Sequence, residues 1–124
     1  MRILLAEDNK INAKVTKLFL TKMGHSTEVA RNGKEVLHAL EHKSFDVVFM
    51  DLEMPELSGT EAIQEIRSGK NNRINEKIPI FALTAHSREE VEELYPDLKI
   101  EGYINKPLDK NQLAEIINGI QVAT

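Results

Sequence analysis

The strongest constraint on the fold is an alternation of short apolar runs with stretches whose apolar residues recur at helical spacing. Runs such as Ile3-Leu4-Leu5-Ala6 and Val47-Val48-Phe49-Met50 are continuously apolar, which is typical of strands covered on both faces. Repeated alternation of this kind predicts a parallel sheet flanked by helices. The predicted strands are Arg2–Ala6, Ser26–Ala30, Asp46–Met50, Ile78–Leu83 and Ile100–Ile104.

The segments between these strands carry helix signals. Ser58–Glu61 and Ser87–Glu90 have capping-box spacing, and Asp109 is a good N-cap for the last helix. The first helix is predicted to end at Lys22-Met23-Gly24 and to face the core with Ile11, Val15, Leu18 and Phe19. The stretch Gly69–Lys77 reads as a long exposed loop. We therefore expect an α/β doubly wound sheet of five parallel strands, in the flavodoxin-like order 2-1-3-4-5, with helices on both faces.

Composition narrows the class of protein further. A chain of 124 residues suits one domain, residues 1–124. The net charge of −4, with scattered Lys and Arg, argues against direct contact with nucleic acid. The absence of cysteine suits a reducing compartment, and the sequence has neither a long apolar stretch nor a signal peptide. A cytoplasmic location without membrane contact is the expectation.

Polar side chains follow four of the five predicted strands. In a doubly wound sheet, ligands bind at the carboxyl ends of the strands, next to the point where strand order reverses. Each of these residues alone could be an ordinary cap or a solvated side chain, but together they would form one rim. The residues in question are Glu7, Asp8, Asp51, Thr84 and Lys106.

The three acids of this rim predict a metal site. Carboxylates brought together repel one another, and a cation is the simplest remedy. Oxygen ligands select a hard cation, and a site with room for waters and a phosphate suits magnesium better than calcium. One divalent ion and Lys106 would balance the charges of Glu7, Asp8 and Asp51.

The same residues resemble the signature set of response regulator receiver domains. The matching motifs are Glu7-Asp8, Asp51 to Gly59, Thr84-Ala85 and Lys106-Pro107, in order along the whole chain. The segments Glu7 to Asn12 and Leu83 to His86 resemble, more narrowly, the receivers of hybrid sensor histidine kinases. The resemblance implies that Asp51 is the phosphoacceptor of a two-component phosphorelay.

The resemblance also implies roles for the other rim residues. Glu7 and Asp8, together with Asp51 and the backbone carbonyl of Glu53, would hold Mg²⁺. Lys106 would bind the phosphoryl group, Thr84 would be the switch hydroxyl, and Tyr103 would be the switch aromatic. These three roles are assigned from matching motif positions. The implied partners are a histidine kinase or a histidine phosphotransfer domain, and a dimer that depends on phosphorylation is compatible with the family. Such a domain catalyses its own phosphorylation and dephosphorylation without being a turnover enzyme.

Three alternatives stay open at this point. A small magnesium-dependent phosphohydrolase would carry a second acid two residues after its nucleophile, where Glu53 stands, but 124 residues leave little room for a cap over the substrate. A flavodoxin-like cofactor binder would need phosphate-cradling amides where the chain has Glu7-Asp8-Asn9-Lys10. A degenerate receiver, used only as an interaction surface, is disfavoured because the rim residues are all retained.

Two further expectations concern local features. The Lys106-Pro107 peptide bond is predicted to be cis, because X-Pro bonds adopt cis at low energetic cost and the lysine must turn back towards Asp51. The four histidines show no clustering typical of ligands, so they are expected to be ordinary exposed or partly buried residues: His25, His38, His42 and His86.

Overall fold

The computed structural model describes residues 1–70 and 75–123, with side chains described up to residue 120. Within these ranges the chain forms a parallel sheet of five strands in the order β2-β1-β3-β4-β5, as predicted. The strands are β1 (Arg2–Ala6), β2 (Ser26–Ala30), β3 (Val47–Asp51), β4 (Ile80–Thr84) and β5 (Gly102–Asn105). The helices are α1 (Lys10–Lys22), α2 (Gly33–His42), α3 (Gly59–Ser68), α4 (Arg88–Leu94) and α5 (Lys110–Ala123).

Strands β1 and β3 form the buried middle of the sheet. All five residues of β3 are buried, as are the last four of β1, which agrees with their continuously apolar sequences. Strand β4 begins later than the predicted Ile78, since Pro79 has no N–H to donate to the ladder. The carbonyl of Pro79 still accepts a hydrogen bond from Val48 N at 2.9 Å.

The helices cover both faces of the sheet. Helices α1 and α5 pack on one face through Leu20, Leu113 and Ile117. Helices α2, α3 and α4 pack on the other face, with buried side chains that include Val36, Ile63 and Val91. Because all five strands run in the same direction, the loops after β1, β3, β4 and β5 open at one edge of the sheet.

The predicted helix starts are confirmed. In α3, the Ser58 side chain accepts from Glu61 N and the Glu61 side chain accepts from Ser58 N, which is a complete capping box; Ser87 and Glu90 do the same for α4. Before α5, Asp109 Oδ1 accepts from Asn111 N at 2.8 Å.

The predicted core face of α1 is wrong for three of its four residues. Ile11, Val15 and Leu18 are 73%, 44% and 52% exposed, and of the predicted set Phe19 is partly buried. The buried residues are Ala13, Thr16 and Leu20. Small side chains at the first two positions let the helix lie close to the sheet, so the larger apolar residues are left facing outwards.

The stretch Gly69–Lys77 departs from the predicted exposed loop at one described position, while residues 71–74 lie outside the described residues. Gly69 ends α3 in the left-handed conformation, with φ of 77°. Asn75 is buried, and its side-chain amide donates to Leu40 O at 2.7 Å. A buried amide is tolerated here because it caps a carbonyl near the end of α2.

Across the described ranges, none of the helices combines the length and the apolarity that a membrane crossing requires.

Candidate functional site

The structure brings the predicted rim residues together at the carboxyl edge of the sheet. Glu7 follows β1, Asp51 and Thr84 end β3 and β4, and Lys106 follows β5. Glu7, Asp51 and Thr84 are 3%, 6% and 5% exposed, which is unusual for side chains of these types. Burial at the one edge where four loops meet marks these residues as a site.

Lys106 joins two of the acids. Its Nζ atom lies 2.9 Å from Asp51 Oδ2 and 3.1 Å from Glu7 Oε1. The lysine side chain is 24% exposed, so one end of this small charge network remains open to solvent. An ammonium that contacts both carboxylates, yet can still be reached from outside, is well placed to meet an incoming anion.

Burial and repulsion leave Glu7 poorly suited to carry its charge. Burial raises the pKa of the Glu7 carboxyl, the neighbouring Asp51 raises it further, and Lys106 with the Asn9 amide offsets only part of the rise. Burial alone would lower the pKa of Lys106, but its contacts with Asp51 and Glu7 outweigh that effect, so the pKa is raised overall. The carboxylates of the rim therefore carry more negative charge than Lys106 neutralises.

A cation could be held by three acids of the rim. Glu7, Asp8 and Asp51 each offer a carboxylate oxygen, and these oxygens all lie within 4.8 Å of one another. Asp8 is exposed, so the cluster is open on one side. An all-oxygen donor set with room for water fits a hard divalent cation.

The backbone of Glu53 lies beside the acidic cluster. Its amide donates to Asp51 Oδ1 at 3.2 Å. The role of its carbonyl as a metal ligand stays a prediction. Its side chain points to a different neighbour, since Glu53 Oε1 lies 3.4 Å from His86 Nε2.

The loop after β3 passes tightly over the backbone of Asp51. Gly59 N donates to Leu52 O at 3.0 Å, and a Cβ built on Gly59 would lie 2.0 Å from Asp51 O. No side chain can be accommodated at that distance. Gly59 therefore allows α3 to start directly against the strand that presents Asp51.

Two hydrogen bonds fix the position of Thr84, one to its hydroxyl and one to its carbonyl. Its hydroxyl accepts from His86 N at 3.0 Å, and its carbonyl accepts from Lys106 N at 2.9 Å. The second bond ties the end of β4 to the lysine. The Lys106-Pro107 bond that follows is cis, which confirms the prediction.

Tyr103 lies on β5, partly buried and packed against the α2–α3–α4 side of the core. The guanidinium carbon of Arg88, the first residue of α4, lies 5.5 Å from the centre of the tyrosine ring. Such a cation–π contact links the ring to the start of α4. Sequence reasoning missed Arg88, because nothing in its local pattern points to a residue on the next strand.

His86 is a second residue that sequence reasoning missed. Its Nδ1 atom lies 3.4 Å from Glu90 Oε2, in addition to the Nε2 contact with Glu53. The imidazole thus bridges the loop after β3 and the first turn of α4. Its position two residues after Thr84 and its spacing of four residues from Glu90 are the signals in the sequence that could have indicated this.

The expectation that the histidines would not cluster is wrong for one pair. His38 and His42 lie one turn apart on α2, with ring centroids 4.4 Å apart. All four histidines are exposed or partly buried, as expected. The sequence spacing of four residues was the available signal, because residues four apart share a helix face.

Comparison with known proteins identifies the family. Residues 3–118 match the family model described as the response regulator receiver domain. The chain is 40% identical over 121 residues to hybrid signal transduction histidine kinase K of Dictyostelium discoideum, a match that covers 94% of this chain and 10% of that protein. It is 38% identical over 122 residues to hybrid signal transduction histidine kinase I of the same organism, covering 94% of this chain and 7% of that protein. The chain belongs to the response regulator receiver domain family.

A solved structure agrees with this assignment. The receiver domain of a sensor histidine kinase from Pseudomonas aeruginosa PAO1 is 31% identical, with a TM-score of 0.83 and coverage of 94% of this chain and 93% of that chain. That protein has a magnesium ion coordinated in its active-site cleft. The alternative of a small phosphohydrolase gains no support from these likenesses. The chain spans a tenth or less of the length of the two Dictyostelium relatives.

Proposed function

We propose that Asp51 is the phosphoacceptor of a two-component phosphorelay and takes its phosphoryl group from a phosphohistidine on a partner protein. The observation that carries this proposal is the 2.9 Å contact of Lys106 Nζ with the Asp51 carboxylate, at a rim that holds two further acids. A carboxylate can form an acyl phosphate, and an ammonium beside it can bind an oxygen of the transferred group.

The transfer requires little covalent chemistry from the protein. An oxygen of Asp51 attacks phosphorus while the bond from phosphorus to the donor imidazole nitrogen breaks, and that nitrogen keeps the electron pair. Lys106 would stabilise one phosphoryl oxygen, and the Thr84 hydroxyl, at the end of the neighbouring strand β4, would serve another. Water later hydrolyses the acyl phosphate, so the domain also resets itself.

The acids of the rim support a magnesium site. The ligands would be the carboxylates of Glu7, Asp8 and Asp51 with the carbonyl of Glu53, and the described oxygens suit a hard cation. When bound, magnesium would neutralise the carboxylates and polarise a phosphoryl oxygen. The raised pKa of Glu7 supports this proposal. Burial and Asp51 disfavour the charged carboxylate, and a cation beside it would favour the charged form as Lys106 already does.

The outward stripe on α1 supports a protein as the phosphoryl donor. Ile11, Val15 and Leu18 are exposed at helical spacing, and Ile11 and Val15 line surface cavities that also include Glu7. A cavity of about 470 Å³ runs from Glu7 past Val15 to Lys106 and Pro107. Apolar side chains next to a charged cleft fit a helical partner that lies along α1 and presents its histidine to Asp51.

The relatives point to the kind of protein in which this domain works. Both Dictyostelium proteins are named hybrid signal transduction histidine kinases, and the chain matches a small part of each. We infer that this receiver belongs to a hybrid histidine kinase or exchanges phosphate with one.

Intact mass measurement after incubation with acetyl phosphate and Mg²⁺ tests the phosphoacceptor. One added phosphoryl group is expected, with none in Asp51→Asn or after EDTA. Equal labelling of Asp51→Asn would contradict the assignment. Steady release of phosphate from many small phosphomonoesters would instead favour a turnover enzyme.

A pair of surface variants tests the protein donor. Val15→Asp should slow phosphoryl transfer from a phosphorylated histidine phosphotransfer domain and leave labelling by acetyl phosphate unchanged. Leu94→Asp is the matched control, since Leu94 is 55% exposed but lies on α4. Equal slowing by the two variants would count against docking along α1.

A further inference from the structure

The outer face of α2 carries a group of metal-ligating side chains that the phosphoacceptor site does not use. His38, Glu41 and His42 stand at positions i, i+3 and i+4 of the helix, and their ligand atoms all lie within 4.8 Å of one another. All three are exposed, while the helix buries Val36 and Leu40 on its opposite face. The group is therefore accessible from solvent and independent of the core.

The local contacts leave these side chains available. The centroids of the His38 and His42 imidazole rings lie 4.4 Å apart, and the two ring planes are inclined at 57°. Among the residues that the structure describes, no side-chain hydrogen bond or ion pair involves His38, Glu41 or His42. The nearby Lys43 is paired with Glu28, so the closest lysine in sequence is already engaged by an acid.

The position on the helix favours a bound cation. His42 lies in the last turn of α2, where the carbonyl ends of the helix present partial negative charge. Beside the group runs an open cavity of about 670 Å³, whose lining includes His38 and His42 as well as three acids and two lysines: Glu28, Glu35, Glu56, Lys34 and Lys43. Lys43 pairs with Glu28 and Lys34 with Glu56, so the favourable field for a bound cation comes from the helix end.

The ligand chemistry selects a different ion from the one expected at Asp51. Imidazole nitrogen suits zinc, copper and nickel, whereas magnesium prefers oxygen. Two histidines four residues apart on one helix face are a recurring way of holding zinc, and the spacing His-x-x-Glu-His occurs in one class of zinc enzymes. Three ligands from one helix leave a position open for water.

We propose that His38, Glu41 and His42 form a surface site for a divalent transition-metal ion of the zinc class, separate from the cation site at Asp51. The two imidazoles supply the main ligands, and Glu41 supplies a carboxylate oxygen. The bound ion links the last two turns of α2 and thereby stabilises the folded chain. This site does not depend on the proposed phosphoacceptor function.

The proposal is tested by titrating the 124-residue chain with Zn²⁺ while Mg²⁺ is held at a saturating concentration. The histidine ring NMR signals report each site separately. Those of His38 and His42 should shift together with one dissociation constant, while the signals of His25 and His86 stay unchanged. The thermal unfolding midpoint should rise with Zn²⁺ over the same concentration range.

Variants then identify the ligands. His38→Ala and His42→Ala should each weaken Zn²⁺ binding at least about tenfold, the lower end of the loss seen when only an outer-shell partner of a metal is removed. Glu41→Gln should weaken it by a smaller factor. His25→Gln is the matched histidine control and Glu65→Gln, an exposed residue of α3, is the matched acid control; neither should change the affinity.

Both histidines are exposed, so loss of the fold is not expected in these variants, and circular dichroism checks it. Wild-type Zn²⁺ affinity in the His38→Ala, His42→Ala double variant would overturn the proposal. So would a Zn²⁺ response confined to signals around Asp51.

Discussion

The middle of the sheet and its α4–β5 edge (Arg88–Asn105) hold their functional side chains in different ways. Asp51 ends a strand whose residues are all buried, and the backbone above it is fixed by the close approach of Gly59. In α4, by contrast, Val91 is the one buried residue of seven. Tyr103 on β5 is only partly buried, and Arg88 covers its ring from an exposed position.

This difference suits a domain that must both bind a phosphoryl group and report it. A rim that positions charge has to be rigid, because misplaced donors lose their effect on the reacting group. Elements that move are drawn from the less stable parts of a fold. The predictions below test whether the rim is indeed the stiff part and the α4–β5 edge the loose one.

The largest effect is expected from Gly59→Ala. A Cβ at this position would lie 2.0 Å from Asp51 O and 2.8 Å from Leu52 Cα, so backbone must move. We expect a loss of about 3 kcal/mol or more in the free energy of unfolding, measured by urea denaturation. Gly119→Ala in α5 is the control, since a Cβ there meets nothing within 4 Å and alanine should stabilise the helix by about 0.5–1 kcal/mol. Similar values for the two variants would mean that the loop over Asp51 is not tightly held.

Asp8→Ala should weaken Mg²⁺ binding while keeping the fold. Asp8 is the exposed acid of the cluster, so its removal takes away a ligand without opening the core. We expect roughly a hundredfold loss of affinity, about 2.8 kcal/mol. Calorimetric titration measures it, with the exposed Glu65→Ala on α3 as control. Wild-type affinity in Asp8→Ala would exclude the site as described.

Val91→Ala should loosen the α4–β5 edge and little else. Removing two methyl groups from the one buried side chain of α4 should cost about 2 kcal/mol locally. Amide exchange in α4 should accelerate, while exchange in β1 and β3 changes much less. Ile63→Ala, in the well-buried face of α3, should instead lower the protection of the whole sheet. Equal acceleration everywhere in Val91→Ala would mean that α4 is not a separate unit.

Glu7→Gln should stabilise the metal-free protein at neutral pH, because glutamine places no charge at this buried position. The pKa of Glu7 is raised in the folded state, so the folded protein binds its proton more tightly than the unfolded chain does. Wild-type stability should therefore fall as pH rises from the ordinary glutamate value of 4.5 through the raised folded value. Below that window the advantage of the variant should disappear. Denaturation in EDTA over a pH series measures this, and a wild-type protein that gains stability through the window would contradict the sign.

Much of the fold and of the rim follows from the sequence because both rest on local patterns. Continuous apolar runs identified β1 and β3, and the parallel arrangement then placed Glu7, Asp51 and Lys106 at one edge. The capping boxes at Ser58 and Ser87 are likewise contained within four residues. In each case the pattern that predicts the element lies within a few consecutive residues.

Several of the features that sequence reasoning missed depend on distant partners. Arg67 is an example: its guanidinium donates to Lys99 O at 2.9 Å and Ile78 O at 2.7 Å, and pairs with Glu101. No local pattern announces such a set of contacts. The orientation of α1 was missed for a related reason, since apolar spacing alone does not distinguish a helix face that packs on the sheet from one that is exposed.

We propose that the coupling between rim and edge passes through Thr84. When Asp51 carries a phosphoryl group, the Thr84 hydroxyl can donate to it, and a hydrogen bond to a charged group contributes roughly 1.5–3 kcal/mol. That energy biases an existing equilibrium by about one to two powers of ten. Inward movement of Thr84 would leave space for the Tyr103 ring and would pull on Arg88 and the start of α4.

Hydrogen exchange of the phosphorylated domain tests this account most directly, with wild type and Thr84→Ala compared at equal occupancy of Asp51. In the wild type, phosphorylation should change amide exchange in α4 and around Tyr103 and leave β1 and β3 unchanged. In Thr84→Ala, Asp51 should still accept the phosphoryl group, but the response at α4 and Tyr103 should be largely lost. An equally large response in Thr84→Ala, or a response centred on β1 and β3, would contradict a rigid rim that acts on a loose edge through Thr84.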